Sequence, residues 1–199
     1  MTHERMHPGA WIEIPDSTTL PQDVEKTIKP IADRIGFVPN VARLLAVTPA
    51  HFVGWWNYFD DLMRGPSGLS KTQREMVAVV ISAEARCPYC EIAHGAALRL
   101  RVKDAALVDR LAVNYRHVDL SARDMAMLDF AVQLTQSPES CREEDIDRLR
   151  EVGFTDEDIL HLIEITAIFN YNVRLATATG LFPNAEYHEL GRVPALHGP

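Results

Sequence analysis

Cysteine is scarce in this chain: three in 199 residues, an odd number, with two of them three positions apart. That is not the composition of a secreted domain stapled by disulfides. Long hydrophobic runs are missing too. The longest, MVAVVI at residues 76–81, falls far short of the roughly 20 apolar residues that span a bilayer. The opening stretch, MTHERMHPGAWIEIP, has no apolar core of the kind a secretory leader carries. No basic cluster is long enough to follow a phosphate backbone, and 20 Lys and Arg stand against 28 Asp and Glu, for a net charge of −8. Nucleic acid and membrane are therefore not expected partners, and a cytoplasmic protein is expected. Nor does any stretch alternate apolar and polar residues between turn formers, so no sheet is expected.

What remains is helical patterning in an ordinary globular composition, 47% hydrophobic and 24% charged. Residues 1–20 read as an extended segment whose Trp11, Ile12 and Ile14 can dock onto a surface, residues 21–185 as one all-α domain, and residues 186–199 as a tail. Pro21 opens a first helix along Val24, Ile28, Ile31 and Ile35, which Gly36 closes. VPNVARLLAV forms a short second helix. Thr48 and Pro49 open a third, which carries WWNYF at 55–59 and ends at RGPSG. Ser70 then caps a helix with Gln73 at the reciprocal position of a capping box. Its run of residues 76–81 is apolar on all sides, which predicts a helix buried on all sides. Pro88 disfavours helical geometry just before it, so a new helix is expected from Cys87 and Pro88 to about Arg101. Further helices are expected at about 103–114, 121–136, 143–152, 155–168 and 170–180, with Ser121/Asp124 and Thr155/Asp158 as capping signals. FTDEDILHLIEITA followed by IFNYNVRLATATGLF echoes LSKTQREMVAVVIS followed by the cysteine helix. The echo fits either an internal repeat of a helix pair or two unrelated pairs.

The chemistry concentrates in EARCPYCEIAH, residues 84–94. On a helix turning about 100° per residue, Cys87, Cys90 and His94 fall within about 60° of one another. Both cysteines sit in the first turn, where free amide groups and the helix dipole favour a thiolate. At an ordinary pKa of about 8.5 roughly 3% of a thiol is ionised at pH 7, and at about 6.5 roughly three quarters would be. Glu75, twelve residues before Cys87, is set beside an apolar run; it either faces solvent or sits in a crevice with a polar partner. Burial there would raise its pKa and equip it to move a proton. His94 could serve as a third zinc ligand after the two cysteines, but SCREED around Cys141 supplies no second pair, and no metal is expected. Haem attachment would want a histidine at position 91, which is Glu91. Cys141 reads as an exposed bystander; His3, His7, His188 and His197 read as surface residues near the termini. Asn170, Asn172 and Arg174, polar groups within a late helix, suit a structural role against the cysteine helix or another subunit.

Glu75, Cys87, Cys90 and His94, at this spacing on two consecutive helices, resemble the alkyl hydroperoxidase D family within the carboxymuconolactone decarboxylase-like superfamily. The layout of roughly residues 20–185, with a helical region before the motif and the Asn-rich FNYNVRLA after it, resembles the peroxidase-related branch. The resemblance implies a compact all-α fold of that kind and a thiol-dependent peroxidase acting on small hydroperoxides, with an antioxidant role. It implies that Cys90 attacks the peroxide and becomes a sulfenic acid, that Cys87 resolves it to a disulfide, and that Glu75 and His94 relay the proton. Tyr89 stands where family members carry a second histidine. Its phenol, with a pKa of about 10, is a poor shuttle at neutral pH, so it is expected to support the site and to leave either a shorter relay or a low activity. No bound cofactor is implied, but an external thiol or dithiol reductant is, from a small molecule, a protein or a lipoyl group. A homo-oligomer is implied as well; WWNYF itself spreads aromatics around much of a helix, which fits either a contact with another subunit or the core of this chain alone. Two other readings stay open: a redox-sensing or interaction protein with a switchable disulfide, and a decarboxylase-like member of the superfamily, a branch that generally lacks the paired cysteines.

Overall fold

Ser70 accepts a hydrogen bond from the Gln73 backbone N–H while the Gln73 side chain reaches back to the Ser70 N–H. This capping box starts α4 (Lys71–Glu84), the helix around which the others are arranged. In the computed structural model, which describes residues 9–192, Val77, Ala78, Val79, Val80 and Ile81 are at most 1% exposed. A helix with apolar residues on every face must be wrapped on every face, and each of these valines and the isoleucine contributes roughly 1.5–3 kcal/mol on burial. The wrapping comes from α5 (Pro88–Val102), α6 (Ala105–Asn114), α7 (Ala122–Gln136) and α9 (Asp156–Ala178). Ahead of α4 lie α1 (Gln22–Ile35), α2 (Asn40–Leu45) and α3 (Pro49–Arg64), which share a smaller core around Phe52 and Trp56. The short α8 (Glu143–Glu151) lies between α7 and α9, and α10 (Glu186–Glu189) lies against α5. The described residues contain no strand, so the fold is all-α.

The expected boundaries hold where local chemistry fixes them. Gly36 closes α1 in the left-handed region at φ 89°, and Ser121 and Thr155 accept from the N–H groups of Asp124 and Asp158. Pro49 and Pro88 begin α3 and α5. One expectation fails. The two helices expected at 155–168 and 170–180 are a single 23-residue helix, α9. The polar residues along it are satisfied within the packed structure: Asn170 Nδ2 donates to Thr135 Oγ1 and to the Thr166 carbonyl, and Asn172 Oδ1 accepts from Trp55 Nε1. The echo between the two halves therefore covers the capped apolar helix but not the break and second helix behind it.

Two buried arginines pin the ends of elements to the core. Arg74, 2% exposed, donates to the carbonyls of Leu69, Leu62 and Gly65, which fixes the turn from α3 into α4. Arg99, 4% exposed, donates to the carbonyls of Tyr187 and Leu190 and so holds α10 on α5. The N-terminal segment is only partly docked. Ile14 is buried and the Trp11 N–H donates to the Thr179 carbonyl, while the Trp11 ring and Ile12 stay exposed. His188 is exposed; His3, His7 and His197 lie outside the described residues. Cys141 is half-buried at the edge of the main core instead of a free surface residue, and burial raises its thiol pKa. Of the WWNYF run, Trp56 and Phe59 are buried within this chain, Trp55 is half-buried and Tyr58 is exposed.

Candidate active site

The sharp turn between α4 and α5 creates the site. Arg86 takes a left-handed conformation at φ 52°, and Cys87 is extended at φ −94° and ψ 101° as the N-cap of α5. Pro88 occupies the first helical position, where its missing N–H costs nothing. Cys90 follows in the first turn and His94 one turn later. Cys90 is 3% exposed and Cys87 is fully buried. Cys90 and His94 line a cavity of about 480 Å³, and Cys87 does not. Helical spacing alone would put all three on one face; the N-cap backbone departs from the helical path and turns Cys87 inward.

Each sulfur has a distinct environment. Cys87 accepts hydrogen bonds from the Cys90 thiol, from the Cys90 and Tyr89 backbone N–H groups and from the Thr177 side chain. The Cys90 bond is the largest influence, and together these overcome burial and lower the Cys87 pKa to about 6. Cys90, as the donor in that shared bond and in a buried position, is held well above the ordinary thiol value. The pair thus shares one proton at neutral pH, with the charge resting on Cys87. The helix-start argument foresees a thiolate here but not which sulfur carries it.

Glu75 comes to the site from α4, 6% exposed, with a polar partner as one of its two expected settings required. His94 Nδ1 lies 2.9 Å from Glu75 Oε2. A carboxylate acceptor assigns the proton to Nδ1 and leaves Nε2, which has no hydrogen-bond partner among the described residues. The imidazole is packed edge-on against Phe169 at 4.6 Å between ring centres and against Phe59 at 6.0 Å. Arg101 Nε is 3.8 Å from the other carboxylate oxygen, Oε1. Tyr89 is buried beside Cys90, but its hydroxyl is occupied: it accepts from the Val41 N–H at 3.0 Å and donates to Tyr187. Burial raises the Tyr89 pKa well above the ordinary value, so the phenol ties α5 to α2 and α10 and stays protonated.

The four residues singled out by spacing, Glu75, Cys87, Cys90 and His94, are thus brought together. Asn172 also reaches the cavity, tied to Trp55; Asn170 binds Thr135, and Arg174 donates to Asn170 on the exposed side of α9. Sequence reasoning missed Thr177, Arg101 and the Trp55–Asn172 pair. No local signal marks them, because they arrive from the far end of α5 or from other helices. Among the described residues no group of three or more metal-ligating side chains is assembled, and no helix is long and apolar enough to cross a membrane.

Comparison with known proteins gives the geometry a context. The Carboxymuconolactone decarboxylase family matches residues 49–113, which include Glu75, both paired cysteines and His94. A crystal structure of an alkylhydroperoxidase AhpD core, an uncharacterized peroxidase-related protein from Ralstonia eutropha JMP134, is 42% identical. The match covers 94% of this chain and 99% of that one, with a TM-score of 0.89. An uncharacterized peroxidase-related protein from Silicibacter sp. TM1040 is 38% identical over 96% of this chain and 100% of that one, also at a TM-score of 0.89. The debrominase Bmp8, in complex with 2,3,4-tribromopyrrole, shares the fold at 19% identity and a TM-score of 0.76, over 87% of this chain and 91% of that one. No curated protein matches the chain in sequence.

Proposed function

Because the chain belongs to the carboxymuconolactone decarboxylase and alkylhydroperoxidase D-like family, with peroxidase-related relatives, we propose that it reduces hydroperoxides through the Cys87–Cys90 pair at the expense of a thiol reductant. The observation that carries this reading is the division of labour at the start of α5. Cys90 faces the cavity beside a histidine oriented by a carboxylate, and Cys87 waits behind it, buried and polarised as an anion.

The cycle begins with the proton of the Cys90 thiol moving along its hydrogen bond to Cys87. This leaves a thiolate where the peroxide arrives. Cys90 attacks the terminal oxygen of the hydroperoxide, the O–O bond breaks, and the sulfur is oxidised by two electrons to a sulfenic acid. A proton that solvent delivers to His94 Nε2, steadied there by Glu75, passes to the departing alkoxide, which leaves as an alcohol. Cys87 then attacks the Cys90 sulfur. Its proton leaves with the sulfenic hydroxyl as water, and the Cys87–Cys90 disulfide remains. Two thiols of an external reductant reopen the disulfide and become oxidised in turn. Giving the first proton transfer to Cys87 shortens the relay, which suits a site where Tyr89 offers no exchangeable partner.

The test is steady-state consumption of tert-butyl hydroperoxide with a dithiol such as dihydrolipoate. The expected result is turnover in the wild type and none in Cys90→Ala, with a sulfenic acid trapped at Cys90 by dimedone in Cys87→Ala. Turnover that persists in Cys90→Ala overturns the assignment. A disulfide that forms once, without turnover under any thiol reductant, favours a redox sensor instead.

A further inference from the structure

The cavity above Cys90 is far larger than a small peroxide requires. Its volume of about 480 Å³ falls in the range of roughly 300–1,000 Å³ typical of sites for drug-sized molecules, whereas a water molecule occupies about 30 Å³. Its walls divide by chemistry. Ile31, Ile35, Trp55, Phe59, Met63 and Leu100 supply apolar surface. Charge is confined to Glu75 and three arginines: Arg34 from the end of α1, Arg64 from the end of α3 and Arg101 from the end of α5. Exposure rises from the reacting sulfur outward. Cys90 is 3% exposed, the side chains of Arg64 and Arg101 are 25% and 32% exposed, and Arg34 is open to solvent.

Three guanidinium groups converge here in a chain of net charge −8. Asp60 pairs with Arg64, and Glu75, already bonded to His94, lies at the longer distance of 3.8 Å from Arg101. Arg34 has no hydrogen bond or ion pair among the described residues. Arg64 is held over the Trp56 ring at 5.5 Å, and burial with the nearby charges of Arg34 and Arg101 lowers its pKa. Like charges gathered at an apolar mouth repel one another, and an anion placed among them relieves that repulsion and gains charge-assisted hydrogen bonds. The apolar wall leads from that anion position down to Cys90.

We propose that the cavity takes an amphipathic ligand with a carboxylate at one end, the carboxylate held by Arg34 and Arg64 and the apolar body lying against Trp55 and Phe59. On the peroxidase reading above, on which this substrate class rests, the ligand is an acidic organic hydroperoxide such as that of a fatty acid, with its peroxide reaching Cys90.

Tryptophan fluorescence reports the binding directly, because Trp55 and Trp56 line the cavity. The intact protein is titrated at low salt with ricinoleate, a hydroxy fatty acid that stands for the product, and with methyl ricinoleate, both below their micellar concentrations. The acid is expected to bind at least about tenfold tighter than the ester, as one charge-assisted contact or more would give. The advantage shrinks with added salt and falls to about threefold or less in the Arg34→Gln/Arg64→Gln double variant. Equal affinity for acid and ester in the wild type, or a preference that the double variant and salt leave untouched, overturns the proposal. Arg34→Gln alone alters one exposed side chain and supplies the same comparison if the double variant does not fold. Turnover of linoleate hydroperoxide against its methyl ester then separates the two readings. Selective binding of the acid without turnover of either, or of tert-butyl hydroperoxide, sinks the peroxidase and leaves the carboxylate site standing. Equal turnover and equal binding of acid and ester sink the carboxylate site alone.

Discussion

Helices α4 and α9 begin alike and end differently. Each starts from a capping box, Ser70 with Gln73 and Thr155 with Asp158, and each sends apolar residues into the same core. After 14 residues α4 stops at Glu84, and the chain turns through Arg86 and Cys87 into Pro88. α9 runs on for 23 residues. The difference shows what a break accomplishes. It exposes a fresh helix N-terminus inside the protein, with free N–H groups of Tyr89 and Cys90 directed at a sulfur. The unbroken helix has no such donors along its length and contributes packing and single side chains, among them Phe169 against His94 and Thr177 on Cys87. The proposed reactive centre is thus the product of an interruption, and the continuous helix supports it.

The comparison can be broken most severely at His94. His94→Ala removes the group positioned by α4 for the chemistry of α5, and peroxide turnover is expected to fall by about 10²–10⁴-fold, the usual worth of a proton-transfer group. Stopped-flow consumption of tert-butyl hydroperoxide checks it. A subtler cut comes from α9. Thr177→Val removes one donor from the Cys87 sulfur. The apparent pKa of the pair, about 6 in the intact site, is then expected to rise by ~1 pH unit. The sign follows from the ionised form: the donor stabilises the thiolate, so losing it lets the proton bind at higher pH. Thiolate absorbance against pH reads the shift, and the acid limb of the pH–rate profile moves with it.

The two capping boxes should prove alike. Ser70→Ala and Thr155→Ala are each expected to cost ~1 kcal/mol in urea unfolding, since each leaves one N–H without its acceptor. Smallest is the effect of glycine at the break. Arg86 pays for its left-handed backbone, so Arg86→Gly is expected to be neutral or stabilising by up to ~1 kcal/mol. The same change in the exposed middle of α9, Ala167→Gly, is expected to destabilise by about 1 kcal/mol. Opposite signs at the two positions would sharpen the contrast; equal costs would erase it.

How far this was legible in the sequence follows the same line. Caps, proline positions and the all-apolar run of α4 are local, and they yield nearly every element with its boundaries. The continuity of α9 was not legible, because the groups that satisfy Asn170 and Asn172 within it come from other helices. Their partners, Thr135 and Trp55, lie 35 and 117 residues away along the chain. Glu75, Cys87, Cys90 and His94 stood out by spacing and family resemblance, yet the 2.9 Å contact between Glu75 and His94 depends on how two helices pack. The position of Cys87 behind Cys90, and so the location of the charge, rests on the extended backbone of a single N-cap residue. Tyr89 could be noticed as a departure from the family pattern. Its task of joining three helices emerges only when Val41 and Tyr187 are seen around it.

The burial of Cys87 also governs the return half of the proposed cycle. Once the disulfide has formed, an incoming thiol can reach it only from the cavity, and so only at the Cys90 sulfur. The mixed disulfide then forms on Cys90, and Cys87 is the leaving group. Disulfide exchange is faster when the departing sulfur is the more acidic one. The same hydrogen bonds from Tyr89, Cys90 and Thr177 that hold the resting charge would therefore speed its reappearance, and the reductant would need no access to the inner sulfur at all.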